Sequence, residues 1–192
     1  MRTSIFLLLL FPFFSCSDDT PKQDPKLVPF GYPVAEILQT DSAVFRGVTL
    51  GLKIGDVLKK IGKNNLTEQQ VDYLFYEDSL SGKASFTYEF SFNAEGLYEM
   101  HVDIYGRDST NAQTMTKRFE NYFTSKYGEP DYFNDLLIWT IKSPKYEAEL
   151  VLTDQSAEYT YGKIAISVYD KSFSQPRIGT DSLMIFDSIP VQ

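Results

Sequence analysis

The chain has 192 residues, 43% hydrophobic and 23% charged, which suits one globular domain or two small halves and argues against a disordered chain or a polytopic membrane protein. A net charge of −8 argues against a nucleic-acid partner, which needs a basic face for phosphate. One Cys and one His exclude an internal disulfide and any metal site built from several thiolates or imidazoles.

Ile5 to Phe14 is an apolar run broken only by Pro12, after a short basic start at Arg2. About ten residues are too few to cross a bilayer of ~30 Å as a helix. The run therefore reads as the apolar region of a secretory signal. Ser15 precedes the only Cys, Cys16, and polar Ser17-Asp18-Asp19-Thr20 follows. This junction resembles a bacterial lipobox, although Phe13 and Phe14 stand where a Leu and a small residue are usual. The resemblance implies a lipoprotein signal peptide over 1–15 and lipidation of Cys16, which becomes a membrane-anchored N-terminus. An ordinary signal peptide with a chance or buried Cys is the alternative. Ser17 after the lipidated Cys points to the outer membrane. Asp18 and Asp19 resemble an acidic signal for export to the cell surface, or form a merely solvated tether. The expected location is the outer membrane, facing either the periplasm or the exterior.

Residues 16–43 hold Pro21, Pro25, Pro29 and Pro33 and read as a flexible tether, with a short helix or approach segment over 34–43. From 44 to 170 the pattern is regular. Ile54, Val57, Leu58 and Ile61 mark one helical face, closed by Gly62 after Lys59 and Lys60. Val71 to Leu80 is an aromatic-rich strand candidate. Phe86, Tyr88, Phe90 and Phe92 alternate with polar residues, the strongest strand signal in the chain. Asn93 to Gly96 supplies a hairpin loop. The return strand places Tyr98, Met100, Val102 and Ile104 on one face and Glu99, His101, Asp103 and Tyr105 on the other. Asp108 or Ser109 caps a second helix running to about Tyr127, with Met115, Phe119, Tyr122 and Phe123 as its stripe. Gly128-Glu129-Pro130 ends it. Strand candidates follow at 136–141, 146–153 and 162–169, with Trp139 in the core. Residues 171–192 form a tail in which Leu183 to Phe186 could dock on the sheet.

The expected fold is α+β. Two tandem helix–strand–strand–strand units, about 44–106 and 107–170, form a two-layer sandwich with an antiparallel sheet and both helices on one face. The other sheet face stays open to solvent.

The segment Gly47-Val48-Thr49-Leu50-Gly51-Leu52-Lys53-Ile54-Gly55-Asp56-Val57-Leu58-Lys59-Lys60-Ile61-Gly62, followed by aromatic antiparallel strands, resembles the BamE/SmpA and β-lactamase-inhibitor-protein-like superfamily. Tyr127-Gly128-Glu129-Pro130 at the end of the second helix resembles the same unit again. The resemblance implies a non-enzymatic lipoprotein or a protein-binding module. A single-unit BamE is shorter, and the inhibitor branch uses disulfides that this chain cannot form. No functional residue carries over.

His101 is flanked at i±2 by Glu99 and Asp103, which could make a metal or acid/base group or simply a solvated polar face. Same-face acids favour the protonated imidazole, which opposes metal binding. No G-x-S-x-G or phosphate-loop motif occurs, and neither catalytic residues nor cofactors are expected. Glu99, His101, Asp103 and Tyr105 are the candidate binding face. Tyr132 and Phe133, between helix and strand, are candidate loop anchors or a fold-over at the core edge. Five Asp-Ser pairs, at 41, 78, 108, 181 and 187, resemble an acceptor pattern for surface O-glycosylation, and chance explains so short a pattern equally well. Asn65-Leu66-Thr67 fits an N-glycosylation sequon that a bacterial leader makes irrelevant. The leading functional expectation is a lipid-anchored, non-enzymatic module that binds a protein or ligand. Alternatives are a carboxylate-type envelope enzyme acting on glycans, which needs two acids in one cleft, and a scaffold for outer-membrane protein assembly.

Overall fold

The computed structural model describes residues 24–81, 84–159 and 161–172. The expected leader over 1–15, Cys16, the apolar stretch 183–186 and the Asp-Ser pairs at 181 and 187 lie outside the described residues. The architecture is α+β, with one open eight-stranded antiparallel sheet. Its strands are β1 (Leu66–Gln69), β2 (Tyr73–Ser79), β3 (Ser85–Phe92), β4 (Leu97–Tyr105), β5 (Asp131–Phe133), β6 (Leu136–Lys142), β7 (Glu147–Asp154) and β8 (Lys163–Asp170). Their spatial order is β1-β2-β3-β4-β8-β7-β6-β5. The helices are α1 (Val34–Leu38), α2 (Ile54–Ile61) and α3 (Ser109–Tyr127), with a 3-10 turn at Val28–Phe30.

Strict alternation builds the core, because successive side chains on a strand point to opposite faces. Phe86, Tyr88 and Phe90 pair with Ile104, Val102 and Met100, which pair in turn with Ile164, Ile166 and Val168. Leu150 and Leu152 extend the row through β7 to Trp139 on β6. All of these side chains are buried. Each large one contributes about 1.5–3 kcal/mol relative to exposure.

The helices follow their sequence signals. On α2, Val57 is fully buried, and Gly62 closes the helix at φ +83° with its amide on the Leu58 carbonyl. A positive φ there favours Gly over any residue with a Cβ. On α3, Asp108 accepts a hydrogen bond from the Asn111 amide at 2.8 Å, satisfying one of the first turn's unpaired donors. Met115, Phe119, Tyr122 and Phe123 are buried, and Trp139 Nε1 donates to the Gly128 carbonyl at 3.0 Å.

Three expectations are corrected. The sheet has eight strands rather than six, because polar Leu66–Gln69 and the aromatic segment at 131–133 each add a short edge strand. Residues 24–33 are packed structure rather than flexible tether, and the short helix expected within 34–43 is α1. Leu27, Val34 and Ile37 are fully buried, and Phe30 meets Tyr122 of α3 edge to face with ring centroids 5.2 Å apart. Polar ties hold the same segment. Tyr122 Oη donates to Asp41 at 2.9 Å, and Lys126 Nζ donates to the Asp41 and Ala43 carbonyls at 2.8 and 2.9 Å. Burial and the adjacent Asp41 carboxylate push the Tyr122 phenol far above its ordinary range. The third expectation, a sheet face open to solvent at Glu99, His101 and Asp103, fails because these side chains are buried.

Arg46 ties this N-terminal segment to the sheet. Its Nε donates to the Ile37 carbonyl at 3.0 Å and one terminal nitrogen donates to Tyr88 Oη at 3.1 Å. The other pairs with Asp78 at 3.1 Å, and the guanidinium stacks 4.9 and 5.0 Å from the Tyr88 and Phe86 ring centroids.

Candidate functional site

Glu99, His101, Asp103 and Tyr105 share one face of β4, as their spacing requires. That face is not open to solvent at these positions. Glu99 is 3% exposed, His101 7% and Asp103 9%, and Tyr105 is half-buried. The reason is position: β4 lies at the centre of the sheet, with β3 and β8 beside it. Their side chains close around it and make a buried polar layer instead of a recognition surface.

The register between β4 and β8 sets His101 opposite Ser167, and Tyr105 opposite Lys163. His101 Nδ1 is 2.7 Å from Ser167 Oγ, and Nε2 is 3.1 Å from Asp103 Oδ1. Lys163 Nζ sits 3.1 Å from Asp103 Oδ2, which also accepts from Tyr105 Oη at 3.4 Å. Lys163 further approaches the Tyr159 ring, 5.1 Å from its centroid. Sequence reasoning missed Ser167 and Lys163, which sit on β8 far along the chain.

Burial opposes a charge on His101, but the Asp103 hydrogen bond and the carboxylates of Asp103, Glu89 and Glu99 outweigh it, so its pKa is raised. Burial also opposes a charge on Asp103, and His101 and Lys163 outweigh it, so its pKa is lowered. In the protonated state the ring donates from both nitrogens, Nε2–H to Asp103 and Nδ1–H to Ser167. Ser167 then accepts, and the imidazole has no lone pair to take a proton from its hydroxyl. A serine nucleophile needs the reverse arrangement.

A second site stands at one end of the sheet, and sequence reasoning did not find it. Loop 49–52, the β3–β4 hairpin loop, the β6–β7 turn and the end of β8 enclose a cavity of about 360 Å³. Leu50, Leu52 and Leu97 supply apolar lining. Tyr98 and Tyr146 supply rings, and Asn93, Glu95, Lys145 and Asp170 supply polar groups. Among the described residues, neither Glu95, Lys145 nor Asp170 enters a salt bridge. The loops themselves are stitched by backbone. Gly51 N donates to the Leu97 carbonyl at 2.7 Å, and Leu97 N donates to the Leu52 carbonyl at 2.8 Å.

Tyr132 and Phe133 lie on the edge strand β5, do not line the cleft, and are 71% and 63% exposed. Among the described residues no group of three or more His, Cys, Asp or Glu side chains could hold a metal ion. No helix among them is long and apolar enough to cross a membrane. The chain matches no protein-family model, no curated protein and no solved structure.

Proposed function

We propose that this chain is a lipid-anchored, non-enzymatic envelope lipoprotein, a binding module that recognises its ligand in the cleft at the sheet end. The cleft carries the reading. It is a formed cavity of about 360 Å³, within the range of small-molecule sites, with apolar lining and a few convergent polar groups. Its charged side chains are not consumed by ion pairs with one another. The leader and Cys16 support the anchor.

The tandem reading of the fold belongs to the same proposal. A helix followed by four strands occurs twice, and the strand order runs β1 to β4 and then β8 back to β5, which supports a duplicated unit. Tyr76 Oη donates to the Gly62 carbonyl at the end of α2, and Phe123 of α3 packs on Trp139. Tyr76 and Trp139 both belong to the apolar sheet face, which supports two helices on one side. The cleft draws its walls from both halves, so duplication would create the site.

One observation favours a second reading. Glu95 and Asp170 both line the cleft, and a carboxylate-type glycan hydrolase needs two acids in one cleft. Binding of a glycan with no hydrolysis of it separates the module from the enzyme. The module itself is tested by a protein-observed NMR screen of small metabolites against the full mature chain. The expected result is ligands that shift Tyr98, Tyr146 and Gly96 signals; a screen in which no ligand shifts cleft signals contradicts the proposal.

A further inference from the structure

We infer that the cleft binds a neutral, hydroxyl-rich ring, a saccharide unit laid against tyrosine. This rests on the binding-module reading above. The lining narrows the ligand chemistry. An anion would meet Glu95 and Asp170 with Lys145 as the one basic side chain in the lining among the described residues. A wholly apolar ligand would displace water from the exposed Glu95 and Lys145 and from the half-buried Asp170, whose Oδ1 accepts from Ser172 N and Oγ at 2.9 and 2.7 Å, and would offer no hydrogen bond in exchange. A divalent metal lacks its ligand set among the described residues.

A sugar ring satisfies both halves of the lining. Its C–H face packs on tyrosine rings and leucines, and its hydroxyls both donate and accept. They can donate to Glu95 and to Asp170 Oδ2, since Oδ1 is taken by Ser172, and accept from Lys145. The net charge of the lining, two acids against one base, suits a neutral ligand better than an anionic one.

The wall is also preorganised. Gly96 has φ +136°, and its amide donates to both the Asn93 carbonyl and Asn93 Oδ1. Lys53 Nζ donates to the Ala94 carbonyl at 2.8 Å, tying the hairpin loop to the start of α2. Little loop ordering then remains to oppose binding.

Saturation-transfer NMR on the full mature chain tests this with maltose, cellobiose and N,N′-diacetylchitobiose, alongside Ala-Ala dipeptide and inorganic phosphate. At least one disaccharide should receive saturation at its ring C–H protons. Its affinity should fall about tenfold or more in Tyr146→Ala and in Asp170→Asn. Tyr132→Ala should leave it unchanged. Asp170 is partly exposed at a strand end, so Asp170→Asn keeps the test valid if Tyr146→Ala fails to fold. No transfer to any of the three sugars, or transfer that both variants leave intact, overturns the inference. Binding of the dipeptide or phosphate alone also overturns the saccharide class, while the binding-module reading survives it.

Discussion

A Cβ placed on Gly96 would lie 2.5 Å from the carbonyl oxygen of Gly51. The hairpin loop and the loop before α2 therefore touch backbone to backbone, and this contact forms one wall of the cleft. Gly96→Ala meets both that clash and a φ of +136°, and we expect a loss of roughly 3 kcal/mol. Gly51 has φ +83° but open space around its Cβ position, so Gly51→Ala should cost only about 1–2 kcal/mol. Urea denaturation of the two variants checks the ranking, and equal midpoints would contradict it.

Arg46 and Asp78 carry the second prediction. The Arg46 side chain is 9% exposed and reaches Ile37, Tyr88 and Asp78 at once. Arg46→Ala takes the cationic donor from the Asp78 carboxylate, which keeps only the Ser79 amide, takes a donor from the Ile37 carbonyl, and removes the stack on Phe86 and Tyr88. The expected loss is about 3–5 kcal/mol, the range for breaking one partner of a buried pair. Asp78 is more exposed, so Asp78→Asn should cost less. Thermal melts of both variants decide; Arg46→Ala at wild-type stability would contradict the role.

The helices were legible in the sequence because period and caps agreed. Ile54, Val57, Leu58 and Ile61 repeat at helical spacing, and Gly62 and Gly128 sit where a positive φ is needed. The β3–β4 hairpin was legible from alternation and from Asn93 to Gly96. The short edge strands were not, since Leu66–Gln69 has no alternation and pairs through backbone. The buried polar layer was hidden for a different reason. Alternation correctly put His101 opposite Val102 in facing, but polarity suggested solvent, and only the β4–β8 register reveals Ser167 and Lys163 around it. The cleft is a product of three loops and a strand end meeting, which no local pattern encodes.

His101 gives a pH prediction with a defined sign. Facing it are Glu89 from β3, Glu99, Asp103 and Tyr105 from β4, and Lys163 and Ser167 from β8. Its raised folded pKa means its contribution to stability is complete below about pH 6.5 and is lost as pH rises through the folded value. The lowered Asp103 pKa contributes above about pH 3.9 and is lost as pH falls through its folded value. As the only histidine, its imidazole gives one clean NMR titration. The midpoint should lie above 6.5 and fall on Asp103→Asn; a wild-type midpoint below 6.5 would mean that desolvation wins.

Tyr132 and Phe133 should be dispensable for the fold. Both are mostly exposed on an edge strand, so Tyr132→Ser and Phe133→Ser should each change stability by less than about 0.5 kcal/mol. A larger loss in chemical denaturation would mean that the edge strand packs more tightly than its exposure indicates.

The membrane anchor is the premise on which an envelope binding module depends. Intact-mass spectrometry of the chain purified from its native envelope tests it most directly. The account predicts a mature N-terminus at Cys16, heavier by a diacylglyceryl group with or without a further acyl chain, and loss of membrane partition in Cys16→Ser. An unmodified Cys16 thiol on a chain that stays in the aqueous phase would contradict it.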